Sequence, residues 1–185
     1  LSLAANNTYA GGTSLAEGPL IAQQNGSLGD RGSKDAIGTT TDTRSSGMAL
    51  SLVFNGDTLS NAVTFGNVNS DGISVLNTTA ATTTVSGAVQ IDRSQGGNVF
   101  LADNLGSTVT YQGGISGQGG ITVIGGGTVV LATANTYGSQ TGAAGAAISG
   151  GTVVRSGSLV LQNAASLGLT TTLELGGRAY TPDST

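Results

Sequence analysis

A segment of this chain occurs twice, and the duplication restricts the fold more than any other feature. The clear copy runs from Ile121 to Gly168, ITVIGGGTVVLATANTYGSQTGAAGAAISGGTVVRSGSLVLQNAASLG. Short apolar runs alternate there with glycine turns. A weaker copy, LAANNTYAGGTSLAEGPLIAQQNGSLG, spans Leu3 to Gly29. Leu3, Asn7, Thr8 and Tyr9 align with Leu131, Asn135, Thr136 and Tyr137 at one constant offset. Gly18, Leu20, Ser27, Leu28 and Gly29 align with Gly157, Leu159, Ser166, Leu167 and Gly168 at a second, larger offset. The clear copy therefore carries an insertion, placed in the Gly138–Gly150 segment. A sequence that repeats itself in this way builds its fold by stacking like units.

Between the copies the pattern is that of short strands. Alternation picks out Leu50-x-Leu52-x-Phe54, Val63-x-Phe65, Ile73-x-Val75, Val85-x-Gly87-x-Val89-x-Ile91, Val99-x-Leu101, Val109-x-Tyr111, Ile121-x-Val123 and Val129-x-Leu131. Period two with β-branched and aromatic residues predicts strands, and their starts lie about ten residues apart. Asn55-Gly56-Asp57, Asn69-Ser70-Asp71-Gly72, Gly96-Gly97-Asn98 and Gly125-Gly126-Gly127 supply the turns. No stretch carries apolar residues at helical spacing. Six of the sixteen charged residues fall in residues 30–47, which read as a solvent-exposed loop between coils. Leu173-Glu174-Leu175 predicts one more strand, broken by Gly176-Gly177 and Pro182, so residues 176–185 are expected to form a loose tail.

An all-β chain of this kind closes either as a sandwich or as a solenoid. The repeat favours the solenoid. So do the small inward residues, mostly Val, Leu, Ile and Ala, with three Phe and no Trp. The expectation is one β-solenoid domain over residues 1–185. Coils of roughly 20 residues or slightly more would give about eight or nine of them, and stacking at ~4.8 Å would give a rod of roughly 40 Å.

The run ITVIGGGTVVLATANTY…GGTVVRSGSLVLQNAASLG resembles the passenger-associated repeat of bacterial autotransporters. The elements that carry the resemblance are Gly127–Leu131, Ala134–Tyr137, Gly150–Thr152, Gly157–Leu161 and Ser166–Gly168, with a glycine lead-in at Gly113–Gly120. The resemblance is clear from Val109 to Gly168 and weaker in residues 1–29. It implies a right-handed parallel β-helix on an exported surface protein. The segment between Tyr137 and Gly150 departs from the family pattern, which suggests a longer loop. On this resemblance Asn7, Thr8, Tyr9, Asn135, Thr136, Tyr137, Gly150, Gly151, Thr152, Leu167 and Gly168 are structural repeat positions.

Several chemistries are excluded or disfavoured by residue content. With no His and no Cys, the chain has no Ser-His-Asp or Cys-His hydrolase centre, no thiolate chemistry and no His- or Cys-ligated zinc. Net charge is −4, and the six basic residues are scattered, so no basic footprint for nucleic acid exists. No apolar run approaches the length of a membrane-spanning helix, and Leu1-Ser2-Leu3 carries no charged signal-peptide start. The chain opens in mid-repeat, so a processing boundary with a signal further upstream is expected.

Carboxylate chemistry requires a pair of acids on one face. Asp57, Asp71, Asp92 and Asp103 are candidates, with Asp71 and Asp92 spaced one coil apart, but each lies in or beside a turn and reads as turn chemistry. No tandem calcium-binding nonapeptide or acidic loop is present, which leaves Asp57 and Asp71 as the only calcium option and no other cofactor. Thr39–Thr41, Thr82–Thr84 and Thr170–Thr172 raise the question of ice binding, which needs Thr-x-Thr on successive coils. These three runs are too far apart in sequence to be adjacent coils and read as strand residues on a solvated face. Tyr9 and Tyr137 read as fixed corners whose rings cap the core rather than as ligand-stacking residues.

The expected function is structural. The chain reads as a segment of an exported bacterial surface or fibre protein, a stiff extracellular rod for adhesion or filament formation, and not an enzyme. Its expected partners are copies of itself stacked head to tail, or neighbouring repeats of one polypeptide, with host-cell or matrix glycans and proteins as outside targets. The alternatives are a glycan-binding adhesin module, marked by a shallow groove of Tyr and Asn, and a polysaccharide-processing enzyme, marked by an acid cluster on one face.

Overall fold

The computed structural model of the chain describes residues 1–10, 13–15, 18–29, 34–37, 50–65, 74–92, 98–138, 151–169 and 172–176. Nineteen strands and no helix occur among them. The first coils hold β1 (Ser2–Leu3), β2 (Ser14–Leu15), β3 (Gly18–Ala22), β4 (Lys34–Ile37), β5 (Leu50–Phe54), β6 (Thr58–Leu59) and β7 (Ala62–Phe65). The middle coils hold β8 (Ser74–Thr78), β9 (Thr82–Val85), β10 (Val89–Ile91), β11 (Asn98–Asp103), β12 (Thr108–Tyr111) and β13 (Ile115–Gly117). The last hold β14 (Gly120–Gly125), β15 (Thr128–Leu131), β16 (Thr136–Tyr137), β17 (Thr152–Val154), β18 (Ser158–Leu161) and β19 (Leu173–Leu175).

These strands form a parallel β-helix. Sheet A has eight strands in the order β1-β3-β5-β8-β11-β14-β17-β19, so eight coils are stacked. Sheet B runs β16-β13-β10-β7-β4-β2, and sheet C runs β18-β15-β12-β9-β6. Among the described residues every strand pairing is parallel and links one coil to the next. Coil length follows the loops. Leu101 meets Val123 in the next coil, and Val123 in turn meets Val154. The second step is longer in sequence than the first because residues 139–150 intervene.

Register stacks like on like inside the coil. In sheet A, Leu20, Leu52, Leu76, Leu101, Val123, Val154 and Leu175 form one inward column. In sheet C the inward column is Leu59, Val85, Tyr111, Leu131 and Leu161. In sheet B it includes Phe65, Ile91, Gly117 and Tyr137. The columns meet in one continuous core. Each fully buried aliphatic contributes about 1.5–3 kcal/mol relative to exposure, so the core is an extended sum of small layers rather than a central cluster. At the ends the columns come into solvent, where Leu161, Leu173 and Leu175 are exposed.

Two local expectations change. Lys34–Ile37, inside the stretch read as a loop, is strand β4, held between β2 and β7. The rest of residues 30–47 lies outside the described residues, as does the expected tail beyond Gly176. Val85-x-Gly87-x-Val89-x-Ile91 reads as one strand but is two, β9 in sheet C and β10 in sheet B. The chain turns at Gly87 because its Cα rests on the previous coil, where a methyl would overlap the Asn61 carbonyl.

Candidate functional site

The repeated motif forms the corner that leads into sheet B. In the clear copy, residues 163–168 make a turn closed by Ser166 N–H donating to Asn163 O (3.0 Å) and Gly168 N–H donating to Ala165 O (3.2 Å). The Ser166 hydroxyl accepts from Asn163 N–H (3.1 Å) and donates to Leu131 O (2.9 Å). Gly168 has φ +67°, and a side chain there would meet Tyr137. The weak copy repeats these contacts: Ser27 N–H to Gln24 O (3.0 Å), Gly29 N–H to Gly26 O (3.3 Å), Gln24 N–H to Ser27 Oγ (3.2 Å) and Gly29 packed on Tyr9 at φ +90°. The duplication seen in the sequence is thus a duplicated corner. The strands before it differ, because Leu3 lies in sheet A and Leu131 in sheet C. The five strands of sheet C start at β6, so among the described residues the first two coils pass from sheet A to the corner without one.

Asn135 is the centre of the clear copy. It is buried, and its backbone N–H donates to Ala165 O (3.0 Å). Its side-chain amide links three coils: Oδ1 accepts from Ile115 N–H (2.7 Å) in the coil before, and Nδ2 donates to Ser166 O (2.6 Å) in the coil after. A carboxamide carries a neutral donor and a neutral acceptor side by side on one short rigid plane, which lets it bridge the two neighbouring coils. Asn61 stands at the same corner three coils earlier and donates to Leu28 O (3.3 Å). Gly87 and Gly113 occupy it between them, each with its Cα against the backbone of the coil before.

Asn7 makes only half of this clamp. Its N–H donates to Gly26 O (2.9 Å) and its Nδ2 to Ser27 O (2.7 Å), matching Asn135, with a second contact to Ala5 O (3.2 Å). Its Oδ1 has no partner among the described residues. The tyrosines differ in the same sense. Tyr137 is 0% exposed, and its hydroxyl is bonded to Thr152 Oγ1 (2.8 Å). Burial pushes the Tyr137 phenol up to about 12, and the Thr152 contact moderates the rise. Tyr9 is 37% exposed and is bonded to Thr13 Oγ1 (2.7 Å) and Ser27 O (3.3 Å). Tyr137 is thus enclosed in the core, whereas Tyr9, with no described coil on its outer side, is part-exposed.

The other repeat positions are placed as follows. Thr8 and Thr136 are exposed, and Leu167 is half-buried. Thr152 is buried and donates its N–H to Thr172 O (3.1 Å). Gly151 is buried and accepts from Ile121 N–H (3.1 Å). Gly150 and Asp71 lie outside the described residues.

Among the described residues the acids are dispersed. Asp57 is exposed, Asp92 is half-buried and Asp103 is buried. Asp103 organises a turn: its Oδ1 accepts from Asn104 N–H (3.0 Å), Thr78 Oγ1 (3.3 Å) and Ser107 Oγ. Its Oδ2 is buried without a partner, facing Gly127. Burial, and then the Asp103 charge, push the Tyr111 phenol well above its ordinary value. Among the described residues no three His, Cys, Asp or Glu residues come together as a metal site, and no helix is long and apolar enough to cross a membrane. An open groove of about 640 Å³ runs along the first coils beside Asn6, Asn7, Asn25, Ser60 and Ser86.

A scan against protein-family models, a search of curated proteins and a search of solved structures each returned no match. The resemblance to the passenger-associated repeat therefore rests on the quoted motifs alone.

Proposed function

We propose that this chain is a scaffold segment of an exported bacterial surface or fibre protein, a stiff β-helical rod that continues end to end through further coils. The observation that carries the reading is the difference between Asn135 and Asn7. The same corner has its amide satisfied on both sides inside the rod and on one side only at the first coil. A backbone N–H of a coil stacked on this face would complete the clamp, the role Ile115 plays for Asn135. The sheet edges support this. Odd residues of β1 bond to β3, which turns the N–H and C=O of Ser2 outward. At the other end the bonds to β17 use Thr172 and Gly176, which turns those of Leu173 and Leu175 outward. Open parallel edges recruit strands, and unlike ends that meet without closing give filaments. Export is supported by the family resemblance.

The 185-residue chain is expected to form rods at high concentration, read by sedimentation velocity and negative-stain microscopy. Ser2→Pro blocks one edge and Leu175→Lys the other. Each variant alone should stay monomeric, and their mixture should give dimers, because one intact face of each kind remains. A wild-type chain that stays monomeric at all accessible concentrations, or a mixture that yields no dimer, would sink end-to-end stacking.

A second reading has its own observation. The groove along the first coils is lined by the amides of Asn6, Asn7 and Asn25 and the hydroxyls of Thr58, Ser60 and Ser86, an arrangement suited to a neutral glycan chain on the side of the rod.

A further inference from the structure

Sheet C carries on its outer face an array that no single stretch of sequence displays. Thr58, Thr84, Thr110, Val130 and Val160 stand in one outward column. Thr82, Thr108, Thr128 and Ser158 stand in the next. Thr-x-Thr therefore recurs on adjacent coils, at Thr82/Thr84 and Thr108/Thr110. On the third coil only Thr128 continues the array, because Val130, its partner in the other column, is 7% exposed. Thr82 and Thr84 of the run Thr82–Thr84 belong to the array, while Thr83 is buried on the inward side. The run's neighbours are not the other two threonine runs but the strands of the next two coils, at Thr110 and Val130.

Three features separate this face from an ordinary solvated strand surface. The first is hydroxyl availability. Thr78, Thr79, Thr83 and Thr152 all spend their hydroxyls on contacts within the chain. The hydroxyls of Thr58, Thr82, Thr84, Thr108, Thr110 and Thr128 make none among the described residues. The second is charge: neither column contains a charged residue. The third is spacing. Like residues on adjacent strands are ~4.8 Å apart and residues i and i+2 of one strand ~6.6 Å apart, so the six hydroxyls and their methyls form a two-dimensional grid held by backbone ladders. Side-chain ladders of this kind keep a sheet flat.

We propose that the outer face of sheet C binds ice. A rigid grid of hydroxyl and methyl groups at regular spacing would hold its first water layer in an ordered, ice-like arrangement. Hydroxyls anchor the waters and methyls fill the spaces between them. Because the grid is already ordered, docking onto a growing crystal immobilises no side chain, and preorganisation of this sort is what gives a weak contact array net affinity. The inference does not depend on the scaffold reading, since the face lies on the side of the rod and is present in one chain.

The test is inhibition of ice recrystallisation by the 185-residue chain, together with the shape of single ice crystals grown in it. Wild-type protein is expected to keep grains small and to facet crystals. A Thr108→Lys/Thr110→Lys variant is expected to lose both effects while circular dichroism and melting remain those of a folded β-helix. Thr110→Ser, which keeps the hydroxyl and removes the methyl, should weaken the effect, and covers the case in which the lysine pair fails to fold. Gln90→Lys, on the outer face of sheet B, should act like wild type. Wild-type protein no better than an equal mass of an unrelated globular protein would overturn the proposal. So would equal losses from Gln90→Lys and the threonine variants.

Discussion

Asn135→Ala is expected to cost about 4 kcal/mol, while Asn7→Ala costs about 1 kcal/mol. Both remove the same side chain from the same corner. At Asn135 the truncation leaves Ile115 N–H and Ser166 O unpaired in a buried site, and each orphaned buried group costs roughly 1–3 kcal/mol. At Asn7 the side chain is half-exposed, so water takes its place. Urea unfolding of the two variants measures the difference. Asn135→Asp sharpens the test, because a carboxylate keeps the bond from Ile115 N–H but cannot donate to Ser166 O until it is protonated. Its deficit should therefore shrink as pH falls. Equal losses at the two positions would mean that the between-coil clamp is not what Asn135 contributes.

Gly125→Ala is expected to be comparably damaging, at about 3–5 kcal/mol. Gly125 ends β14 at φ +101°, and a methyl there would overlap the Asp103 carbonyl oxygen of the coil before. Left-handed backbone and steric overlap add. Gly106 separates the two effects, because it has φ +83° with nothing within 4 Å of an added methyl. Gly106→Ala should therefore cost only the backbone strain, about 1–2 kcal/mol. Thermal unfolding of the pair checks this, and a Gly125→Ala loss no larger than that of Gly106→Ala would remove coil-on-coil contact as the reason for glycine at 125.

The fold is legible in the sequence because a solenoid writes its inward columns as local alternation. Leu50-x-Leu52-x-Phe54 and Val109-x-Tyr111 can be read without knowing which coil they join. The corner is legible because the Asn-Thr-Tyr and Ser-Leu-Gly elements occur twice. Register is not. Coil length changes with each loop, so Thr84, Thr110 and Val130 are neighbours in space at unequal intervals in sequence. No fixed period finds them, and the threonine runs at 39–41 and 170–172 draw the eye away from the grid. The Thr-x-Thr pairs at 82/84 and 108/110 are the available signal. Burial is equally hidden. Asp103 reads like any turn acid, and only the stacking of β8 and β11 reveals that it is enclosed. Tyr9 and Tyr137 share a motif, yet one is half outside because no described coil lies beyond it.

The central claim is that successive turns of this chain stack in the register that makes these columns. Gln90 pairs with Ser116 across one coil boundary, and Ser116 pairs with Thr136 across the next. The chain contains no cysteine, so a Gln90→Cys/Ser116→Cys variant carries no competing thiol. Adjacent strands place paired Cα atoms ~4.8 Å apart, within disulfide reach, whereas positions two coils apart are ~10 Å apart and outside it. Rapid closure of the 90–116 disulfide with none in Gln90→Cys/Thr136→Cys is the predicted result. Failure of the first pair to close, or closure of both at similar rates, would contradict the stacked-coil register on which the corner clamp, the open ends and the threonine grid all rest.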